Sequence, residues 1–287
     1  RHLEGPLADR PGGWRPLVYC WRGGQRSGSF ATILAQIGWR VSMLDGGYAA
    51  WRRLVVAALY DRPWPGPVVL LDGDTGTAKT AILTRLAAAG HQVLDLEGLA
   101  NHRGSLFGPR PGSQPAQKGF ESAIARVLTG LDPARPLIVE AESSRIGALR
   151  LPPALWAAMK AAPRLSLTAS LAERARFLAR HYRDLTEDGD ALAGRLAGLA
   201  AFHGHARVDT WQALASEARF EDLAAELMAQ HYDPRYARQR ARQQPVPTET
   251  LALDSLGGPA LDAALPRVAA ALARLAGDPD QPAGKRA

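Results

Sequence analysis

Residues 73–80 read Gly-Asp-Thr-Gly-Thr-Ala-Lys-Thr, and they sit between an unbroken apolar run, Val68-Val69-Leu70-Leu71, and a stretch with helical spacing, 79–89. A glycine-rich loop between a buried strand and a helix lets backbone N–H groups converge on an anion, and the helix adds its positive end. In such a loop Gly73, Thr75, Gly76, Thr77 and Ala78 surround phosphate oxygens, Lys79 reaches the terminal phosphate and Thr80 offers a hydroxyl to Mg²⁺. Ala78 stands where glycine usually precedes the lysine, so its methyl group crowds the turn. Further strands are expected at 91–96, 136–139 and 164–168, with helices at 122–131 and 171–182. Strands that alternate with helices build a parallel sheet covered on both faces, so the expected fold class is α/β.

The chain has 287 residues, enough for about two domains. The run Asp61-Arg62-Pro63-Trp64-Pro65-Gly66-Pro67 reads as a linker, because proline fixes the backbone and removes donors. Ahead of it, short strands are expected at 17–20 and 41–44, and helices at 27–38 and 48–60. The expected organisation is 1–60, linker 61–67, a phosphate-loop domain 68–185, and a mostly helical region 186–287 whose tail beyond 277 is disordered. Residues 101–118 form a polar loop of a length that is uncommon without a function. The net charge of +7 suits a polyanionic partner, or simply reflects an arginine-rich composition. One cysteine excludes an internal disulfide and a cysteine-cluster zinc site. No apolar run approaches the roughly 18 residues that span a bilayer, and no secretory pattern opens the sequence. The expected location is the cytoplasm, with no membrane partner.

The single thiol, Cys20, ends an apolar run and precedes Trp21-Arg22-Gly23-Gly24-Gln25-Arg26-Ser27. Glycines gather amides into an anion-binding nest, and the following helix contributes its N-terminus; both lower a thiol's pKa and make it nucleophilic. Cys20, Arg22 and Arg26 are the candidate catalytic residues. The spacing Cys-x5-Arg-Ser is similar to that of cysteine phosphatases and of rhodaneses, which carry sulfur or selenium on the cysteine. Tyr19 stands where phosphatases usually have histidine, and Leu44-Asp45-Gly46-Gly47-Tyr48-Ala49-Ala50-Trp51-Arg52 resembles the closing strand-to-helix signature of rhodanese domains. A rhodanese domain carries most of its sheet ahead of the cysteine, whereas nineteen residues precede it here. The expectation is a C-terminal part of such a domain, N-terminally truncated and weakly stable alone.

Carboxylates at strand ends supply candidates for the phosphate site. Glu140 ends the run Ile138-Val139 and is placed to hold Mg²⁺ through water, with Glu142 close behind. Glu97, Asn101, His102 and Arg103 follow the second strand, on the sheet edge where open α/β sheets bind ligands. Near the C-terminus, His231-Tyr232-Asp233-Pro234-Arg235-Tyr236-Ala237-Arg238-Gln239-Arg240-Ala241-Arg242 interleaves tyrosine with arginine. Arg235, Arg238, Arg240 and Arg242 are candidate contacts to RNA phosphates, or an ordinary solvated helix end.

Taken in order, the Cys20 loop, Gly46-Gly47-Tyr48, the 75–80 loop, Leu96-Glu97-Gly98-Leu99-Ala100-Asn101-His102-Arg103-Gly104-Ser105 and Glu140-Ala141-Glu142-Ser143 resemble the tRNA 2-selenouridine synthase family. The resemblance is specific over 17–153. It implies a transferase that replaces sulfur by selenium in wobble 2-thiouridine of tRNA, using selenophosphate, by way of an S-geranylated uridine made from geranyl diphosphate. It implies tRNA and a selenophosphate-supplying enzyme as partners and no tightly bound cofactor beyond Mg²⁺. The phosphate loop would hold a diphosphate leaving group, and Cys20 would serve the selenium step, with Arg22 and Arg26 attracting the anionic donor. Two other readings stay open on the residues alone. One is a phosphate-loop small-molecule kinase or NTPase fused to a degenerate rhodanese module, with Arg174 and Arg176 in a lid. The other is a basic RNA-binding module whose loops merely bind anions.

Overall fold

The computed structural model describes residues 4–105, 107–241 and 245–277. The chain divides into two compact units, Arg1–Pro63 and Trp64–Ala287, and the division falls inside the proline-rich 61–67 segment.

In the first unit, β1 (Leu17–Val18) pairs in parallel with β2 (Ser42–Met43). Helix α1 (Gln25–Gln36) joins them, and α2 (Gly47–Val56) follows, prolonged by a π-helical turn at Ala57–Asp61. A small core gathers Val18, Ala31, Leu34 and Trp39, with Trp14 edge-on to Trp39 at 5.1 Å. The strands keep apolar side chains in solvent: Leu17 is 59% exposed and Met43 55%.

The second unit is built on a five-stranded sheet in which every pairing is parallel. Its strands are β3 (Val68–Gly73), β4 (Gln92–Leu94), β5 (Leu137–Glu140), β8 (Arg164–Thr168) and β9 (Thr248–Ala252), in spatial order β4-β5-β3-β8-β9. All six residues of β3 and all four of β5 are buried, as befits central strands covered on both faces. Helices α3 (Lys79–Ala88) and α14 (Gly258–Ala276) cover one face: Ile82, Leu83, Leu86, Leu261, Val268 and Leu272 pack with Val69, Leu71, Ile138 and Leu167. Between β4 and β5 run the short α4 (Leu96–Ala100) and α5 (Gln117–Leu128). An antiparallel hairpin, β6 (Arg145–Ile146) with β7 (Leu149–Arg150), and α6 (Pro153–Ala161) lead from β5 to β8.

The expected separation of a phosphate-loop domain from a helical region at 185/186 is corrected. Helices α7 (Leu171–His181), α8 (Arg183–Thr186), α9 (Gly189–Ala197), α10 (Ala200–His203), α11 (His205–Ser216), α12 (Phe220–Leu227) and α13 (Asp233–Ala241) all lie in one crossover between the neighbouring strands β8 and β9. Their own core gathers Leu185, Leu192, Leu196, Trp211, Leu223 and Leu227, and α12 packs on α7. The region is therefore an insertion in the sheet topology, closed by β9. That strand was hidden because it has five residues, of which only Leu251 is buried, and lies among alanine- and leucine-rich helices. The tail beyond 277 lies outside the described residues.

Candidate functional sites

In the first unit the thiol loop is clamped from behind by the glycine pair. The Tyr48 N–H donates to the Cys20 carbonyl at 3.0 Å and the Ala49 N–H to the Trp21 carbonyl at 2.8 Å. A Cβ on Gly47, which has φ +60°, would stand 2.2 Å from the Cys20 carbonyl oxygen. A Cβ on Gly23 would stand 2.8 Å from the Gly47 nitrogen. Two glycine backbones in contact are thus what lets the loop fold back over α2. On the open side, the Gly24 N–H donates to Cys20 Sγ at 3.3 Å, and Ser27 Oγ lies at 3.3 Å from the same sulfur. The Ser27 hydroxyl, with the amides of Arg22 and Gly24, lowers the thiol to about 6. Arg22 and Arg26 line the same bowl as Cys20, Trp21, Gly24 and Gln25. A thiolate in a cationic bowl is equipped to attack or carry an anionic donor.

In the second unit the 73–80 loop emerges from β3 into α3. Gly73 has φ +143°, and a Cβ there would meet the Leu167 carbonyl at 2.6 Å, so the loop leaves the sheet against β8. Ala78 takes φ +61° with its side chain buried, the conformation expected of glycine at that point. Lys79 Nζ donates to the Gly73 carbonyl at 2.9 Å and lies 3.8 Å from Glu140 Oε1. Burial opposes its charge, but Glu140, Tyr236, Glu142 and Asp72 hold its pKa above the ordinary value. Thr80 Oγ1 donates to Glu140 Oε2 at 3.0 Å.

Glu97, Glu140 and Glu142 converge beside Thr80, with one oxygen of each within 4.8 Å of the others. Burial and mutual repulsion push Glu97 up to about 9 and Glu142 up to about 8, and burial raises Glu140 as well. Arg110 Nη2 lies 3.5 Å from Glu97 Oε2. Three carboxylates and a hydroxyl are hard oxygen donors, the set that Mg²⁺ takes alongside phosphate oxygens.

Residues far along the chain roof the loop. Arg174 on α7, 7% exposed, donates to both carboxylate oxygens of Asp233 at 3.0 and 2.8 Å and to the Thr75 carbonyl at 3.2 Å. Arg240 Nη1 pairs with Asp74 Oδ1 at 2.7 Å, and Tyr236 lines the loop's cleft. Against this polar cleft opens an apolar chamber. Leu178 of α7 and Tyr182 at its C-terminal cap, with Thr75 and Ser105, line both. Phe107, Leu185, Leu192, Phe220, Leu223 and Leu227 complete its wall.

A family model described as the tRNA 2-selenouridine synthase AAA domain matches residues 66–210, and a model of the rhodanese-like domain matches residues 3–54. The chain belongs to the tRNA 2-selenouridine synthase family. Proteins of that name agree. One from Alcanivorax borkumensis is 33% identical over 249 residues, 76% of this chain and 67% of the relative. One from Shewanella halifaxensis is 34% identical over 250 residues, 77% and 67% of the two chains. One from Cupriavidus necator is 35% identical over 259 residues, 79% and 68%. The fold class follows in the same order along the chain: a rhodanese-like part, then a phosphate-loop parallel α/β domain with a large helical insertion.

Of the residues that the sequence nominated around the family's phosphate loop, Glu97, Arg103, Glu140 and Glu142 line its cleft. Asn101 and His102 do not. Asn101 ends α4 with φ +48° and its side chain donates to the Pro111 carbonyl at 3.0 Å. His102 is buried, and its Nδ1 accepts from the Gly104 N–H at 3.0 Å. Both brace the 101–118 loop from inside instead of facing a ligand. The four arginines proposed as one RNA-binding cluster also part company. Arg240 is committed to Asp74; Arg235 lies 5.3 Å over the Phe202 ring; exposed Arg238 bonds the Pro234 carbonyl of its own helix; Arg242 lies outside the described residues. Of the two arginines placed in a lid, Arg174 reaches the phosphate loop at the Thr75 carbonyl and is held by Asp233, and Arg176 pairs with Glu173. Sequence reasoning missed Arg110, Tyr182, Asp233, Tyr236 and the apolar chamber. The chamber had one readable trace, Leu178, Ala179 and Tyr182 at the end of α7.

Proposed function

We propose that the protein replaces sulfur by selenium in wobble 2-thiouridine of tRNA, using selenophosphate, through an S-geranylated uridine made from geranyl diphosphate. The observation that carries this reading is the apolar chamber opening directly beside the phosphate loop. A kinase that handles a nucleotide triphosphate and a polar acceptor has no use for a slot walled by phenylalanine, leucine and methionine. A ten-carbon apolar chain attached to a diphosphate matches the polarity of both halves at once.

In the first step the thiouridine sulfur attacks C1 of the geranyl group. The S–C1 bond forms, the C1–O bond breaks, the diphosphate leaves with the bonding pair, and the N3 proton passes to solvent. Charge grows on the departing diphosphate, which the loop amides and Lys79 would meet once the Lys79 ammonium exchanges the Gly73 carbonyl for it. Mg²⁺, when bound, would be held by Glu97, Glu140, Glu142 and Thr80 and would neutralise diphosphate charge. Arg174 keeps Thr75 in place through its carbonyl. In the selenium step the selenium of selenophosphate, delivered by a partner enzyme, bonds to C2 of the uridine, the C2–S bond breaks with geranylthiolate leaving on that pair, and water takes the phosphoryl group from selenium as phosphate. Cys20 serves this step, and Arg22 and Arg26 attract the anionic donor.

The test is to supply the protein with 2-thiouridine tRNA and geranyl diphosphate, then digest the tRNA for mass spectrometry. S-geranyl-2-thiouridine is the expected product. ATP turnover on a small acceptor with no geranylated nucleoside would replace this reading with a kinase.

A further inference from the structure

A third chamber adjoins the other two, and the mechanism above does not use it. Gly104, Ser105, Ala141, Glu142, Phe202 and Arg235 are among its lining residues. It holds about 400 Å³, against about 80 Å³ in the narrow apolar chamber. Ser105 lines all three spaces. Glu142 and Tyr236 lie between this chamber and the phosphate-loop cleft, and Tyr232 between it and the apolar slot. The junction of the three brings together, among the described residues, space for a diphosphate, an apolar chain and a third reactant.

The chamber's rim is made of planar groups. Phe202 on α10 is 65% exposed, so one face of its ring is open to the chamber's mouth. The Arg235 guanidinium lies 5.3 Å over its ring. Behind them His231 is fixed: its Nδ1 is 2.9 Å from His203 Nε2, and its ring meets Phe202 edge-on at 6.2 Å. The floor is polar, with the Ser105 hydroxyl and the Glu142 carboxyl, which offers one oxygen to the cluster with Glu97 and Glu140 and has a second able to pair with the hydrogen-bonding edge of a base. A stacking ring, a cation over it and a polar floor are the ingredients of single-stranded base recognition in RNA.

We propose that this third chamber receives the splayed-out target base of the tRNA, with Phe202 as its stacking platform. The proposal rests on the functional reading above and assigns the acceptor's place in it. It accounts for Ser105 at the junction, where the sulfur of a seated base would face the end of the apolar chain.

The test is an equilibrium binding cycle on the full chain, with two fluorescent anticodon stem-loops. One carries 2-thiouridine at the wobble position and the other an abasic sugar there. The wild type is expected to bind the base-bearing RNA about tenfold more tightly, the range that one aromatic stack supplies. Phe202→Ala should erase that preference while leaving the abasic affinity unchanged, and Phe202→Tyr should keep it. Equal binding of the two RNAs by the wild type would overturn the proposal. So would an alanine variant that weakens both RNAs alike or neither. Because the cycle needs no turnover, failure of geranyl transfer would count against the functional reading and leave this result standing.

Discussion

The thiol loop and the phosphate loop solve the same local problem by opposite means. Each turns from a strand into a helix and gathers amides around an anion site. The thiol loop is closed by its own neighbourhood: the glycines at 23, 46 and 47 touch, and Cys20 meets Ser27, seven residues on in the first turn of α1. The phosphate loop is closed by residues from far along the chain, Arg174, Asp233, Tyr236 and Arg240, delivered by the crossover between β8 and β9. A loop of the first kind exposes one reactive atom. A loop of the second kind can bury charge, pair it and adjoin an apolar space.

The strongest way to break this comparison is to disable each loop in turn. Lys79→Ala should lower geranyl transfer by about 10²–10³-fold, since it removes a donor aimed at developing charge. The fold should survive, because burial already raises the Glu140 pKa and the loss of Lys79 lets that carboxyl take up a proton more readily. Cys20→Ser should block selenium incorporation and let S-geranylated tRNA accumulate, since a serine hydroxyl is far less acidic than the thiol. Digested tRNA, read by mass spectrometry with both donors supplied, separates the outcomes. Selenouridine from the serine variant at the wild-type rate would reduce Cys20 to a structural residue, and unchanged geranylation in Lys79→Ala would remove the diphosphate from the loop.

A smaller effect sharpens the claim that distant residues close the phosphate loop. Asp233→Ala leaves the Arg174 guanidinium buried without its carboxylate. Breaking a fully buried pair costs about 3–5 kcal/mol, and the part-exposed position of Asp233 brings the expectation to about 2. For a unit of this size that is a fall in Tm of about 4–8 °C. The pair Arg174→Met with Asp233→Leu should recover much of the stability but not the affinity for geranyl diphosphate, because the brace on Thr75 is gone. Thermal melting and calorimetric titration measure the two; full recovery of both would show that Arg174 has no part in shaping the loop.

This division also explains what could be read from the sequence. The thiol loop was legible because its parts are adjacent in the chain or carried by the short signature at 44–52. The sheet was legible wherever strands are long and buried, as at 68–71 and 136–139. Asn101 and His102 misled because a polar residue on a loop near the site looks the same whether it faces the ligand or pins the loop from behind. The arginines of α13 read as one stripe because spacing does not show partners: Arg240 meets Asp74, more than 160 positions earlier, while Arg235 lies over Phe202. The apolar chamber draws its walls from α7, α8, α9, α12 and the 101–118 loop, and no local pattern announces such an assembly.

On the thiol side, the titration of Cys20 can be followed directly. Alkylation by iodoacetamide should rise with pH through a midpoint near 6, where an ordinary thiol rises near 9, so the loop is reactive at neutrality and loses reactivity below pH 6. The Ser27 hydroxyl has one proton and two acceptors within reach, Cys20 Sγ at 3.3 Å and the Gly24 carbonyl at 2.9 Å. Only when the proton turns to sulfur does it favour the thiolate. Ser27→Ala should therefore move the midpoint upward towards 9, and not down. A midpoint unchanged by that substitution would leave the amides as the whole cause.

The smallest effect concerns the one place where the phosphate loop departs from glycine. Ala78 holds φ +61°, a conformation that costs an L-residue about 1–2 kcal/mol more than glycine. Its methyl group is buried with Ile82 and Leu86 in the main core and regains part of that cost through packing. Glycine also adds freedom to the unfolded chain, which offsets roughly another 0.4–1 kcal/mol. The balance predicts that Ala78→Gly shifts stability by less than about 1 kcal/mol, whereas a left-handed alanine without packing would gain clearly from the change. Chemical denaturation of the two proteins decides it. A gain well above 1 kcal/mol would mean that the methyl contributes nothing and the loop is strained; a loss of 2 kcal/mol or more would mean that the alanine is a core residue that happens to lie in a phosphate loop.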